Sequence, residues 1–243
     1  MSSTIGARLL EVLYDLYPDL KNRIWSKKIR DPFKLLVITV LSQVTSYRNL
    51  MLAVENLEKS IGISPEKLAR APLEDIEQAI RPAGLYRQRA RKIKSISRII
   101  LEKYKGDLSF IKDLDVEHAR KILLSLPGVG EKTADVILLF SFGKEIMPVD
   151  THIRRISRRL GLVDEKSSYG EIRRTLEQIF PPDTLAFAHV ALIEFGRRIC
   201  RARKPLCGSC PLEKFCPKIG VSDQKLDHTS HGEFIHHSSI SRR

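Results

Sequence analysis

Cysteine is missing from most of this chain. The 243 residues hold four, and all four fall between positions 200 and 216. Scattered disulfides of the kind that staple small exported domains are therefore excluded. Long apolar runs are also missing. The longest, such as Leu35–Leu41, has the length of a core helix and falls well short of the ~18–20 residues of a membrane span. No basic-then-apolar secretory pattern opens the chain, so a cytoplasmic protein is expected. Aromatic residues make up only 7%. That leaves no aromatic-rich amphipathic face for a membrane surface. Acid is in short supply as well: 29 Asp and Glu face 42 Lys and Arg, a net charge of +13. A polyanionic partner is expected, and nucleic acid is the first candidate.

The cysteines read C-x6-C-x2-C-x5-C: Cys200, Cys207, Cys210 and Cys216. Four thiols on one turn-rich segment suit a four-ligand metal site. Only Cys207 and Cys210 have the close spacing of a zinc knuckle. Wider spacing is tolerated by an iron–sulfur cluster. The spacing leans towards [4Fe–4S] and leaves zinc open. The loop between the first two cysteines carries Arg201, Arg203 and Lys204, three cations that can be presented to phosphates.

Apolar residues recur at three- and four-residue spacing along the chain. The pattern predicts helices at 7–17, 32–41, 50–60, 65–70, 73–80, 87–104, 117–125, 132–142, 151–160, 169–179 and 182–200. In the 87–104 segment Ile93, Ile96, Ile99 and Ile100 form the apolar stripe, with Arg91, Lys92, Lys94 and Arg98 on the solvent side. β-alternation is lacking, so the fold class is all-α. From about residue 219 the chain turns polar and carries His228, His231, His236 and His237, which reads as a solvated, disordered tail.

Two short strings stand out. Leu126-Pro127-Gly128-Val129-Gly130-Glu131-Lys132-Thr133-Ala134 joins two helical segments. Pro127 breaks the first, and Gly128 and Gly130 allow a tight turn and a close approach. The amides that open the second helix make an anion site. Gly128, Val129 and Gly130 are therefore expected to bind phosphate, as a helix–hairpin–helix element does. Lys132 lies in the first turn of that second helix, where the dipole opposes a cation and favours the neutral amine. It can be a nucleophile or a phosphate ligand. The second string is Val149-Asp150-Thr151-His152-Ile153, in which Asp150 occupies an N-cap position. The helix from Lys132 covers about 16 Å. The eight residues from Gly143 to Asp150 span up to roughly 26 Å, so the carboxyl can return to the amine.

Taken together, these residues resemble the endonuclease III proteins of the helix–hairpin–helix DNA glycosylases. The shared motifs are Leu126–Ala134, Val149–Ile153, Gly84-Leu85-Tyr86 and the four-cysteine pattern, over about residues 7–218. The resemblance implies a six-helix barrel domain at 31–144 that carries the hairpin. It implies a second domain, from 1–30 and 145–218, that holds a [4Fe–4S] cluster on the four cysteines, with a DNA groove between the two. It also implies a monomeric enzyme that removes oxidised pyrimidines from duplex DNA and nicks the strand by β-elimination. Lys132 matches the Schiff-base lysine and Asp150 the catalytic aspartate. Gln43 matches the glutamine that fills the gap left by a flipped nucleotide, and Leu85 the wedge on the opposite strand. One departure follows Gln43-Val44-Thr45: the family's aspartate is replaced by Ser46-Tyr47.

Two competing readings are a monofunctional mismatch or adenine glycosylase and a non-catalytic DNA-binding protein. Lys132 argues against the first, since such relatives lack the lysine. So does the absence of any acidic residue between Phe33 and Thr45, where adenine glycosylases place a glutamate.

Overall fold

The computed structural model describes residues 2–20 and 30–221. The four tail histidines lie outside the described residues, as do position 1 and positions 21–29 of the expected second domain. Among the described residues the regular structure is helical, without a strand. The α-helices are α1 (Ser2–Leu16), α2 (Pro32–Leu41), α3 (Tyr47–Ser60), α4 (Pro65–Arg70), α5 (Leu73–Ile80), α6 (Tyr86–Tyr104), α7 (Val116–Leu124), α8 (Glu131–Phe142), α9 (Thr151–Arg159), α10 (Tyr169–Ile179) and α11 (Leu185–Arg198). None of the described helices is long and apolar enough to cross a membrane.

Local chemistry sets the helix starts. Asp31 caps α2 by accepting from the amides of Phe33 and Lys34 at 2.9 and 3.0 Å, and Pro32 supplies the fixed φ of the first turn. Ser46 caps α3, three residues earlier than periodicity places that helix. Ser168 and Glu171 form a reciprocal capping box on α10. The segment expected at 182–200 divides. Pro182–Thr184 is a 3₁₀ turn, and α11 closes at Arg198 because the amides of Ile199 and Cys200 both return to the Phe195 carbonyl.

Packing is continuous through one apolar core. Around α6 gather α2, α4 and α5, while α8 packs on α2 and α7. On the other side α11 packs on α9 and α1, and α1 also meets α10. The two groups touch through α8 and α11. Residues 219–221 are held rather than loose: the Ile219 amide donates to the Arg159 carbonyl at 3.2 Å, and the Val221 amide to the Lys218 carbonyl at 3.0 Å. A polar composition signalled a tail there, but an available carbonyl at the end of α9 captures its first residues.

Candidate nucleic-acid interface and active site

The hairpin between α7 and α8 turns at Gly128, whose φ of 72° lies in the left-handed region that favours glycine. A Cβ there would meet the Lys92 side chain, with Cε at 2.3 Å and Nζ at 2.7 Å, so Lys92 of α6 lies over the turn. That cation was expected on the open solvent face. At Gly130 a Cβ would meet nothing, and no side chain caps the first amides of α8. The turn therefore presents exposed glycines, helix amides and a lysine to an incoming anion. Val129 differs from its neighbours. Its side chain is buried and its amide donates to the Leu126 carbonyl at 3.1 Å, so neither is available to a phosphate.

Lys132 follows in the first turn of α8 and is half-buried. Burial pushes its amine below the usual lysine range, and the Asp150 charge pulls the other way. Asp150 caps α9, its Oδ1 accepting from the Ile153 amide at 2.8 Å. The amine and the carboxylate thus feel each other across two elements. No ion pair among the described residues joins them.

The surroundings hold groups that motif reading misses. His189 of α11 is buried, and its Nδ1 meets the Pro148 carbonyl at 3.0 Å. Burial first, then the Lys132 charge, pushes this imidazole down to about 4, so it stays neutral at pH 7. Its Nδ1–H then donates to Pro148 and steadies the backbone two residues before Asp150. Asp135, one turn beyond Lys132, is fully buried between Arg120 and Tyr169. Burial raises its carboxyl, and those two partners oppose the rise. No spacing rule marks these residues, because their partners come from distant elements or from main-chain carbonyls.

The two loops matched to base-flipping roles also sit together. Gln43 is exposed; Val44 after it is 96% exposed, with a φ of 49°. Leu85 is 61% exposed, with a φ of 47°. An exposed β-branched residue in the left-handed region is strained. Arg89, only 5% exposed, ties both loops down. Its Nη1 donates to the Ala83 carbonyl at 2.6 Å and its Nη2 to the Gln43 carbonyl.

The four cysteines, none of them in a disulfide, line one cavity with Ile156, Arg159 and Leu206. Burial pushes the Cys210 thiol up to about 12, and its three neighbours add to the rise. Burial likewise raises Cys207 and Cys216. Donors point at the sulfurs as well: Arg159 Nη1 at 3.4 Å from Cys200 Sγ, and the Lys218 amide at 3.4 Å from Cys216 Sγ. Four thiols lining one cavity supply the donor set that a [4Fe–4S] cluster takes. On the adjoining loop Arg203 and Lys204 are exposed, whereas Arg201 folds back to donate to the Lys204 carbonyl at 3.1 Å.

Comparison with known proteins agrees with this geometry. Residues 37–182 match the family described as HhH-GPD superfamily base excision DNA repair protein, and residues 200–216 the iron–sulfur binding domain of endonuclease III. Endonuclease III of Thermotoga maritima is 41% identical over 189 residues, 78% of this chain and 84% of that protein. The Bacillus subtilis endonuclease III is 34% identical over 216 residues, 89% and 93% of the two chains. Among solved structures, a trapped endonuclease III–DNA covalent intermediate superposes with a TM-score of 0.75 at 33% identity, covering 90% of this chain and 96% of that one.

Proposed function

Because the chain belongs to the endonuclease III family of HhH-GPD base excision repair proteins, we propose a specific course for its DNA glycosylase and lyase activity: it removes oxidised pyrimidines from duplex DNA through a Schiff base on Lys132. The observation that carries this reading is the half-buried Lys132 amine at the start of α8, lowered by burial and acted on by the charge of Asp150.

The groove lies between a barrel domain at 31–144 and a domain formed by 1–30 and 145–218, and the protein acts as a monomer. The hairpin around Gly128 and Gly130, with Lys92, grips the backbone of one strand, and Arg203 and Lys204 grip phosphates further along. Leu85 wedges into the stack and Gln43 fills the space of the nucleotide that turns out, at a cost of a few kcal/mol. The neutral Lys132 Nζ attacks the sugar C1′. The bond from C1′ to the base breaks, and its electron pair leaves with the base, which takes up a proton. Asp150 steadies the positive charge that develops on the sugar and takes a proton from the attacking nitrogen. The ring opens to an imine. A proton then leaves C2′, and the C3′–O bond breaks with its electron pair going to the phosphate. Water hydrolyses the imine and frees the lysine. The [4Fe–4S] cluster that Cys200, Cys207, Cys210 and Cys216 hold when it is bound cross-links the 200–216 loop, and no step of base removal passes through it.

A panel of duplexes, each with one damaged or mismatched base and scored separately for base release and for nicking, tests this reading. Oxidised pyrimidines are expected to give both products with the wild-type protein, and Lys132→Ala neither. Base release from an A·G mismatch without nicking would favour the monofunctional reading instead.

A further inference from the structure

Lys132 and Asp150 stand on different elements, and no ion pair among the described residues holds them together. Their separation depends on the main chain that leads into Asp150. Asp135 lies one helical turn beyond Lys132 on α8 and is 0% exposed. Its Oδ1 accepts from Arg120 Nε at 2.7 Å and its Oδ2 from the Tyr169 hydroxyl at 2.6 Å. The same hydroxyl accepts from the Val149 amide at 3.2 Å. Val149 directly precedes Asp150. On that stretch His189 meets the Pro148 carbonyl at 3.0 Å, and Glu177 accepts from the Met147 amide at 3.0 Å.

We propose that Tyr169 is a positioning residue for the Lys132 chemistry: through Asp135 and the Val149 amide it fixes how far the Asp150 carboxylate stands from the lysine. The proposal rests on the Schiff-base reading above. A phenol has one proton to give and lone pairs to accept with, and here both are used. Burial and the Asp135 charge hold the phenol protonated, so it remains the donor to Asp135. A buried carboxylate costs several kcal/mol to desolvate, where an apolar side chain would pack at no such cost. That expense falls between the two groups whose spacing decides the reaction. A misplacement near 1 Å costs about a hundredfold in an oriented reaction, so a partly loosened tether should cost about tenfold.

The test is the rate at which borohydride-trapped adduct forms with abasic duplex DNA, measured under saturating and subsaturating protein. Tyr169→Phe removes one oxygen and keeps the ring. It is expected to lower the maximal rate about tenfold while the half-saturating concentration stays within about twofold. Asp135→Leu should fall with Tyr169→Phe. A folded Tyr169→Phe protein whose maximal rate stays within about twofold of wild type would overturn the proposal. So would a change confined to half-saturation. Should these variants not fold, amide exchange in the wild-type protein decides. Val149 is expected to exchange slowly, and exchange at the rate of an open loop amide overturns the tether. A wild-type protein that forms no adduct at all sinks the Schiff-base reading itself, which separates that failure from this one.

Discussion

At the scale of single residues, Lys132 is pulled in two directions. Burial and the start of α8 favour the free amine, while the Asp150 charge favours the ammonium. A depressed lysine is deprotonated at lower pH than a free one, so the trapping rate should rise with pH through a midpoint below the usual lysine value. Asp150→Asn deletes the influence that raises that value. Its rising limb should therefore move to lower pH, even as the plateau falls by about 10²-fold for want of a charge to assist the amine. A rate profile whose limb stays in place would mean that the carboxylate does not sense the lysine. The motifs single out both residues, and the place of Asp150 as an N-cap was legible from local chemistry. Their meeting was not, since chain length shows only that the loop can reach.

At the scale of elements, the helix starts followed the sequence where the cap was local, as at Asp31-Pro32 and Ser168–Glu171. The cations of α6 did not follow it. A helical stripe assigns every cation to water, yet Arg89 turns inward to two carbonyls, and Lys92 lies across Gly128. Backbone acceptors leave no mark in a sequence, so this burial was illegible. Its consequence can be tested. Arg89→Met keeps the apolar stem but leaves two carbonyls without their donor, which should cost about 1–3 kcal/mol of stability. The loops bearing Gln43 and Leu85 should then move independently. Base release from damaged duplex is expected to drop at least about tenfold, because flipping costs a few kcal/mol. Nicking of a single-stranded abasic site, which needs no wedge, should persist. Equal loss on both substrates would show that Arg89 serves only the fold.

At the scale of the whole molecule, α9 joins the chemistry to the cysteine loop. Asp150 caps one end. From its middle Arg155 donates to the Gly196 and Cys200 carbonyls at 2.8 and 3.0 Å, and from its last turn Arg159 donates to the Arg201 and Ala202 carbonyls at 2.7 and 3.2 Å. The cysteine spacing announced a metal site from sequence alone. That the arginines of α9 would hold the main-chain carbonyls of that loop became visible only in the fold, because such acceptors leave no mark in a sequence. The loop, Asp150 and Lys132 thus stand on elements that pack on one another through α9, α11 and α8. The most direct measurement is to reduce the wild-type protein with borohydride on abasic duplex DNA, digest the product and locate the modified peptide by mass spectrometry. The sugar remnant is expected on Lys132, with no adduct from Lys132→Ala. A remnant on another amine, or an undiminished adduct from that variant, would contradict the account.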